Sequence, residues 1–169
     1  MRLLSLVIVS ALGACGGAAA EKPLTLKLGV PRAEAVSALR AHHYCHKPDG
    51  PPQRVETYPR CARAGTEWGE SWVTARYDGD TLIEVRRWER YADDDVAIER
   101  WNNLIADRAK VTPDSEEALA ALRTRGPLEA GTRAVKAFRV DPTTIVAVYL
   151  LNPTPPEDAS VLEAIVRVK

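Results

Sequence analysis

Between Ser71 and Trp88 the chain runs through two strand-like stretches on either side of Asp78-Gly79-Asp80, and no other feature restricts the fold as much. Successive side chains of a strand point to opposite faces, so Val73, Ala75 and Tyr77 share one face while Trp72 and Arg76 share the other. Within Trp68 to Tyr91 the pattern predicts a long β-hairpin, with strands Ser71 to Tyr77 and Leu82 to Trp88 and with Gly79 free to take positive φ in the turn. If Val73, Ala75 and Tyr77 are to share a face with Ile83 and Val85, facing residue numbers must sum to an even value, which requires a loop of three or five residues. A five-residue loop sets Trp72 opposite Trp88 and Arg76 opposite Glu84, whereas a three-residue loop sets Trp72 opposite Arg86.

The rest of the chain supplies further layers. Leu24 to Leu28 alternates with period two and predicts a short strand, punctuated by Gly29 and Pro31. Pro31 suits the first turn of a helix carrying Ala33, Val36, Leu39 and Ala41 inward as far as about His43. Val55 to Tyr58 predicts a strand limited by Pro59. Asp93, Asp94 and Asp95 cap a helix to about Ala109, with Ile98, Trp101, Leu104, Ile105 and Ala109 inward. After Pro113, Ser115 with Glu116 and Glu117 opens a shorter helix bearing Ala118, Leu119 and Leu122, stopped by Gly126-Pro127. Ala134 to Val140 and Thr143 to Leu151 predict a second antiparallel pair, the latter strand buried on both faces. The tail admits two readings. Thr154 to Glu157 is similar to a capping box and Val161, Leu162, Ile165 and Val166 fit helical spacing, which favours a helix over a strand with Leu162, Ala164, Val166 and Val168 inward. The expected fold is α+β: a single domain over residues 24–169, with an antiparallel sheet of two hairpins packed by two or three helices.

The chain opens on a different pattern. Arg2 precedes an apolar run from Leu3 to Leu12 that ends in Gly13, Ala14 and Cys15. A bilayer-spanning helix needs about 20 apolar residues, so this run fits an export signal and not a transmembrane helix. Leu12-Gly13-Ala14-Cys15 resembles the lipobox of bacterial lipoproteins. That resemblance implies cleavage of residues 1–14 and acylation of Cys15, with residues 15–23 as a flexible tether reaching about 15 Å. It also implies that Gly16, standing where an Asp would favour the inner membrane, points to the outer membrane, with the domain facing the periplasm or the cell surface. Over the first half of the chain, the short opening strand, Gly29, a helix with Glu34 and Leu39 and a tryptophan-bearing hairpin together are similar to the small lipoproteins of the outer-membrane barrel-assembly machinery.

In an exported chain, cysteines left after acylation of Cys15 form an even pair, so Cys45 and Cys61 are expected to form a disulfide joining a helix end to the first strand of the sheet. The 23 basic and 23 acidic residues are interspersed, giving formal net charge +0 and no basic face for nucleic acid. A chain of 169 residues, less a short leader, is the size of one domain.

Reaction chemistry is sparse. Gly69-Glu70-Ser71-Trp72-Val73 lacks the second glycine of a nucleophile elbow, Asp78 and Asp80 are turn-formers, and Gly126 to Gly131 lacks the spacing and lysine of a phosphate loop. No cofactor motif is present, and an enzyme is not expected. His42, His43 and His46 are the chain's three histidines, and His42 and His46 would share a helical face as metal or small-ligand donors. Four tryptophans against one phenylalanine call for an account. If the face opposite Val73, Ala75, Ile83 and Val85 is solvated, Trp72 and Trp88 form an aromatic strip interleaved with Arg76 and Arg86, which suits protein recognition; if helices cover both sheet faces, the tryptophans are packing. Trp68, Trp72, Trp88 and Arg86 are therefore the candidate partner-binding residues, facing another envelope protein. The histidine cluster is the alternative.

Overall fold

The hairpin lies within a six-stranded antiparallel sheet. In a computed structural model, residues 22–45, 51–61, 70–152 and 159–168 are described. The strands are β1 (Val55–Pro59), β2 (Ser71–Asp78), β3 (Thr81–Tyr91), β4 (Thr132–Asp141), β5 (Thr144–Leu151) and β6 (Ala159–Arg167), and the helices are α1 (Arg32–Ala41), α2 (Asp94–Ala109) and α3 (Glu116–Thr124). The sheet order is β1-β2-β3-β6-β5-β4. The domain is α+β, and both expected hairpins, β2–β3 and β4–β5, are present. β1 and β6 complete the sheet.

The register of β2 against β3 resolves the loop argument. Trp72 faces Trp88 and Arg76 faces Glu84, and then the register shifts so that Tyr77 faces Leu82 and Asp78 faces Thr81. A β-bulge at Ile83 thus replaces the five-residue loop with a two-residue turn at Gly79-Asp80, Gly79 taking φ 56. The cross-strand pairs are those of the longer loop. The inward residue next to the turn is Leu82 and not Ile83, because the extra residue flips the alternation.

The tail is a strand, which corrects the preferred helical reading. β6 inserts between the hairpins and pairs with both β3 and β5. Val161 to Val166 are all buried because both faces are covered: Val161 and Ile165 join the core on one face, Leu162, Ala164 and Val166 the core on the other. A strand buried on both faces loses its polar alternation, and its apolar run then mimics helical spacing. The capping-box residues lie outside the described residues.

α1 and α2 cover one face, where Ala35, Leu39, Ala97 and Leu104 pack with Val73, Val85, Val148 and Ile165. α3 covers the opposite face over β4, β5 and β6 through Ala118 and Leu122. Local signals set each helix. Asp93 accepts from the backbone N–H groups of Asp95 and Val96, and Ser115 from that of Ala118. α1 starts after Pro31 and buries Ala35 and Leu39, not Ala33 or Ala41. In α2, Ala109 is exposed and Arg100 is buried in its place.

Leu24 to Leu28 alternates in burial as expected, Leu24, Leu26 and Leu28 facing the core, but it forms no ladder and is not a strand of the sheet. Side chains hold it instead. The Leu24 N–H donates to Glu163 at 3.0 Å, Arg108 donates to the Leu24 carbonyl at 2.5 Å, and Arg87 donates to the Lys22 carbonyl at 2.9 Å. Cys45 and Cys61 form the expected disulfide, with Cα atoms 4.9 Å apart, between the residues just past α1 and those just past β1. No helix among the described residues is long and apolar enough to cross a membrane.

Candidate functional site

The sheet is not covered evenly. Over β1, β2 and β3, the face opposite α1 and α2 carries no helix among the described residues. The register aligns three cross-strand rows there: Pro59, Trp72, Trp88 and Leu162; Thr57, Thr74, Arg86 and Ala164; Val55, Arg76, Glu84 and Val166.

In the first row Trp72 and Trp88 stack at 6.1 Å between ring centroids with 10° between their planes. Both are half-buried, and the Arg90 guanidinium lies 5.5 Å above the Trp72 ring while pairing with Glu70 at 3.1 Å. Trp88 leans on the core beneath α3, so one ring is anchored and its partner rests on it. Offset aromatic pairs of this kind add about 0.5–1.5 kcal/mol beyond their buried area. Trp68 lies outside the described residues.

The third row opens into a trough of about 660 Å³ between the uncovered half-sheet, the end of α3 and the Gly126 to Glu129 segment. Glu84 is its centre. One carboxylate oxygen accepts from Arg86 at 2.6 Å, and the other accepts from Arg76 at 2.5 Å and Arg125 at 3.1 Å. Arg86 reaches on to Glu129 at 2.7 Å. Burial pushes the Glu84 carboxyl up, but hydrogen bonds and charge from Arg86, Arg125 and Arg76 outweigh it and hold the group below the usual carboxylate range. Tyr149 lines the trough at 4% exposure, and burial, with Glu129 nearby, pushes its hydroxyl up to about 12, so it stays protonated.

Sequence reasoning named the Trp72–Trp88 and Arg76–Glu84 pairs as one of two possible registers, and it named Arg86. It missed Arg125, Glu129 and Tyr149, which come from a helix end, a loop and a distant strand. Only the basic residues just before Gly126 hinted at them.

The histidines do not assemble as the spacing suggested. α1 ends at Ala41, so His42 is its C-cap and His43 follows at φ 62; the helical face that would join His42 to His46 has already ended. His42 is half-buried with Nε2 3.1 Å from the Thr25 hydroxyl. Burial, then the Arg87 charge, lowers its pKa. Cys45 is in the disulfide, and His46 lies outside the described residues. Among the described residues no three His, Cys, Asp or Glu side chains converge as metal ligands.

Compared with known protein families, curated proteins and solved structures, the chain matches none.

Proposed function

We propose that this chain is a bacterial envelope lipoprotein, moored by acyl chains at Cys15 to the outer membrane, whose domain faces the periplasm or cell surface and binds another envelope protein without catalysing a reaction. The observation that carries the binding role is the stacked Trp72–Trp88 pair on the half of the sheet that no described helix covers. Tryptophan and arginine are enriched at interface hot spots, and here both stand on β-strands. Lys22 is held by Arg87 on the face that α1 and α2 cover, opposite the aromatic pair. Two or more acyl chains, at about 0.8 kcal/mol per buried methylene, hold such a domain at the bilayer.

Two measurements test this. Cys15→Ala should leave precursor or soluble product; persistence of the variant in membranes at mature mass ends the anchor. Photo-crosslinkers at Thr74 and Arg86 in intact cells should capture a defined envelope protein, and Trp72→Ala should abolish the adduct. Equal adducts from Val96, exposed on α2, would end the docking surface.

A further inference from the structure

The trough beside the tryptophan pair gathers charged side chains from β2, β3, the end of α3 and the segment that follows it, and its geometry is independent of lipidation. Three guanidiniums, Arg76, Arg86 and Arg125, face two carboxylates, Glu84 and Glu129, so one positive charge is left uncompensated. The guanidiniums are not saturated. Arg76 and Arg125 each donate through a single nitrogen and Arg86 through two, leaving N–H donors of all three without partners among the described residues. Beside them Tyr149 is 4% exposed, and its hydroxyl, which makes no hydrogen bond to the described residues, is the part that solvent reaches. Its electrostatic surroundings are Glu129, Arg86, Arg125 and Glu84, the same groups that line the trough. A hydroxyl that water reaches is free to turn to a bound ligand, and here it stands beside spare cationic donors.

We infer that the trough binds a monocarboxylate with an apolar body. A carboxylate accepts two parallel N–H bonds from a guanidinium fork, matches the single residual charge and can take the Tyr149 hydroxyl as a further donor. Val55, Leu122, Pro127 and Val166 line the remaining wall and accept the apolar part. The volume of about 660 Å³ is that of a small-molecule site, not of a bare-ion site. Glu84 holds the three guanidiniums in place so that they need not be ordered when the ligand arrives, which lowers the entropic cost of binding.

The test is isothermal titration of the purified full-length chain with benzoate, with benzamide as the neutral isostere and acetate as the anion without a body. Benzoate should bind at least tenfold more tightly than either. Arg125→Gln should weaken it tenfold or more, because a charge-assisted bond is lost, and Tyr149→Phe should weaken it three- to tenfold. Arg125→Lys should recover part of the loss. Circular dichroism of each variant confirms that it is folded. Equal binding of benzoate and benzamide, equal binding of acetate, benzoate affinity unchanged in Arg125→Gln and Tyr149→Phe, or no saturable heat with benzoate would each overturn the inference.

Discussion

Strand β3 carries two arginine–carboxylate clusters back to back, and burial is the main difference between them. On the face toward α1 and α2, Arg87 pairs with Glu163 at 2.6 Å and with Glu89 at 3.2 Å, Arg100 grips Glu89 at 2.6 and 2.8 Å, and Arg108 holds Glu163 at 2.5 Å. On the other face Glu84 gathers Arg76, Arg86 and Arg125. The chemistry is the same, but the Arg87 and Glu163 side chains are 0% exposed whereas those of Arg76, Arg86 and Arg125 are 37%, 33% and 29% exposed. Burial turns the first cluster into a clamp that joins α2, the sheet and the Leu24 segment. Partial exposure leaves the second with donors to offer. Ion pairs become a binding site where water still reaches them and the covering layer stops.

The largest expected effect attacks the clamp. Arg87→Met leaves Glu163 and Glu89 buried with part of their countercharge gone, and breaking a buried pair in this way costs about 3–5 kcal/mol. Urea denaturation should report that loss, and a cost below about 1 kcal/mol would mean that the two clusters are energetically alike. Next comes the covalent tie between the residues past α1 and those past β1. Replacing Cys45 and Cys61 together by Ser opens a loop with sequence separation 16 and should cost about 3 kcal/mol in the chain-entropy picture. Reductant should destabilise the parent by a similar amount and leave the double variant unchanged.

Acid sharpens the contrast. Burial raises the Glu89 carboxyl, but hydrogen bonds from Arg100 and the charges of Arg87 and Arg100 outweigh it and hold the group at about 2. A depressed folded-state value means that the unfolded chain binds the proton first. The stability contributed is complete above the unfolded value near 4.5 and drains away as pH falls toward about 2. Stability of the parent should therefore fall steeply between these limits. Glu89→Gln should start lower and show a shallower slope over that window, and an unchanged slope would remove Glu89 from the account.

Much of this was legible in the sequence. Alternation narrowed the hairpin to two registers, one of them the observed Trp72–Trp88 and Arg76–Glu84 pairing, caps at Asp93 and Ser115 gave two helix starts, and the cysteine parity gave the disulfide. The bulge at Ile83 was not legible, since Leu82 and Ile83 are both apolar and either could have been the inward residue. β6 was misread because a strand with two covered faces carries no period-two signal. The clamp was invisible for a further reason. Arg87, Arg100 and Glu163 look like ordinary surface charges until the fold brings three separated segments together, and helical periodicity placed Ala109 inward without detecting that Arg100 reaches a buried carboxylate. The trough follows the same rule, because Arg125 and Tyr149 meet Glu84 only through tertiary packing.

The smallest expected effect is the one that decides the comparison. Arg125→Gln removes one of three cations on Glu84, and Arg76 and Arg86 remain to neutralise that carboxylate. A partly exposed ion pair contributes about 0–1 kcal/mol, since water already screens it and a long side chain must be held in place. Denaturation midpoints of Arg125→Gln should thus shift by less than about a third of the Arg87→Met effect, and the shift should shrink further in molar salt, where screening reaches within about 3 Å. A loss of 3 kcal/mol or more would mean that the Glu84 cluster is itself a clamp tying α3 to the sheet. Its spare donors would then be a by-product of packing, and the difference between the two faces of β3 would be one of degree.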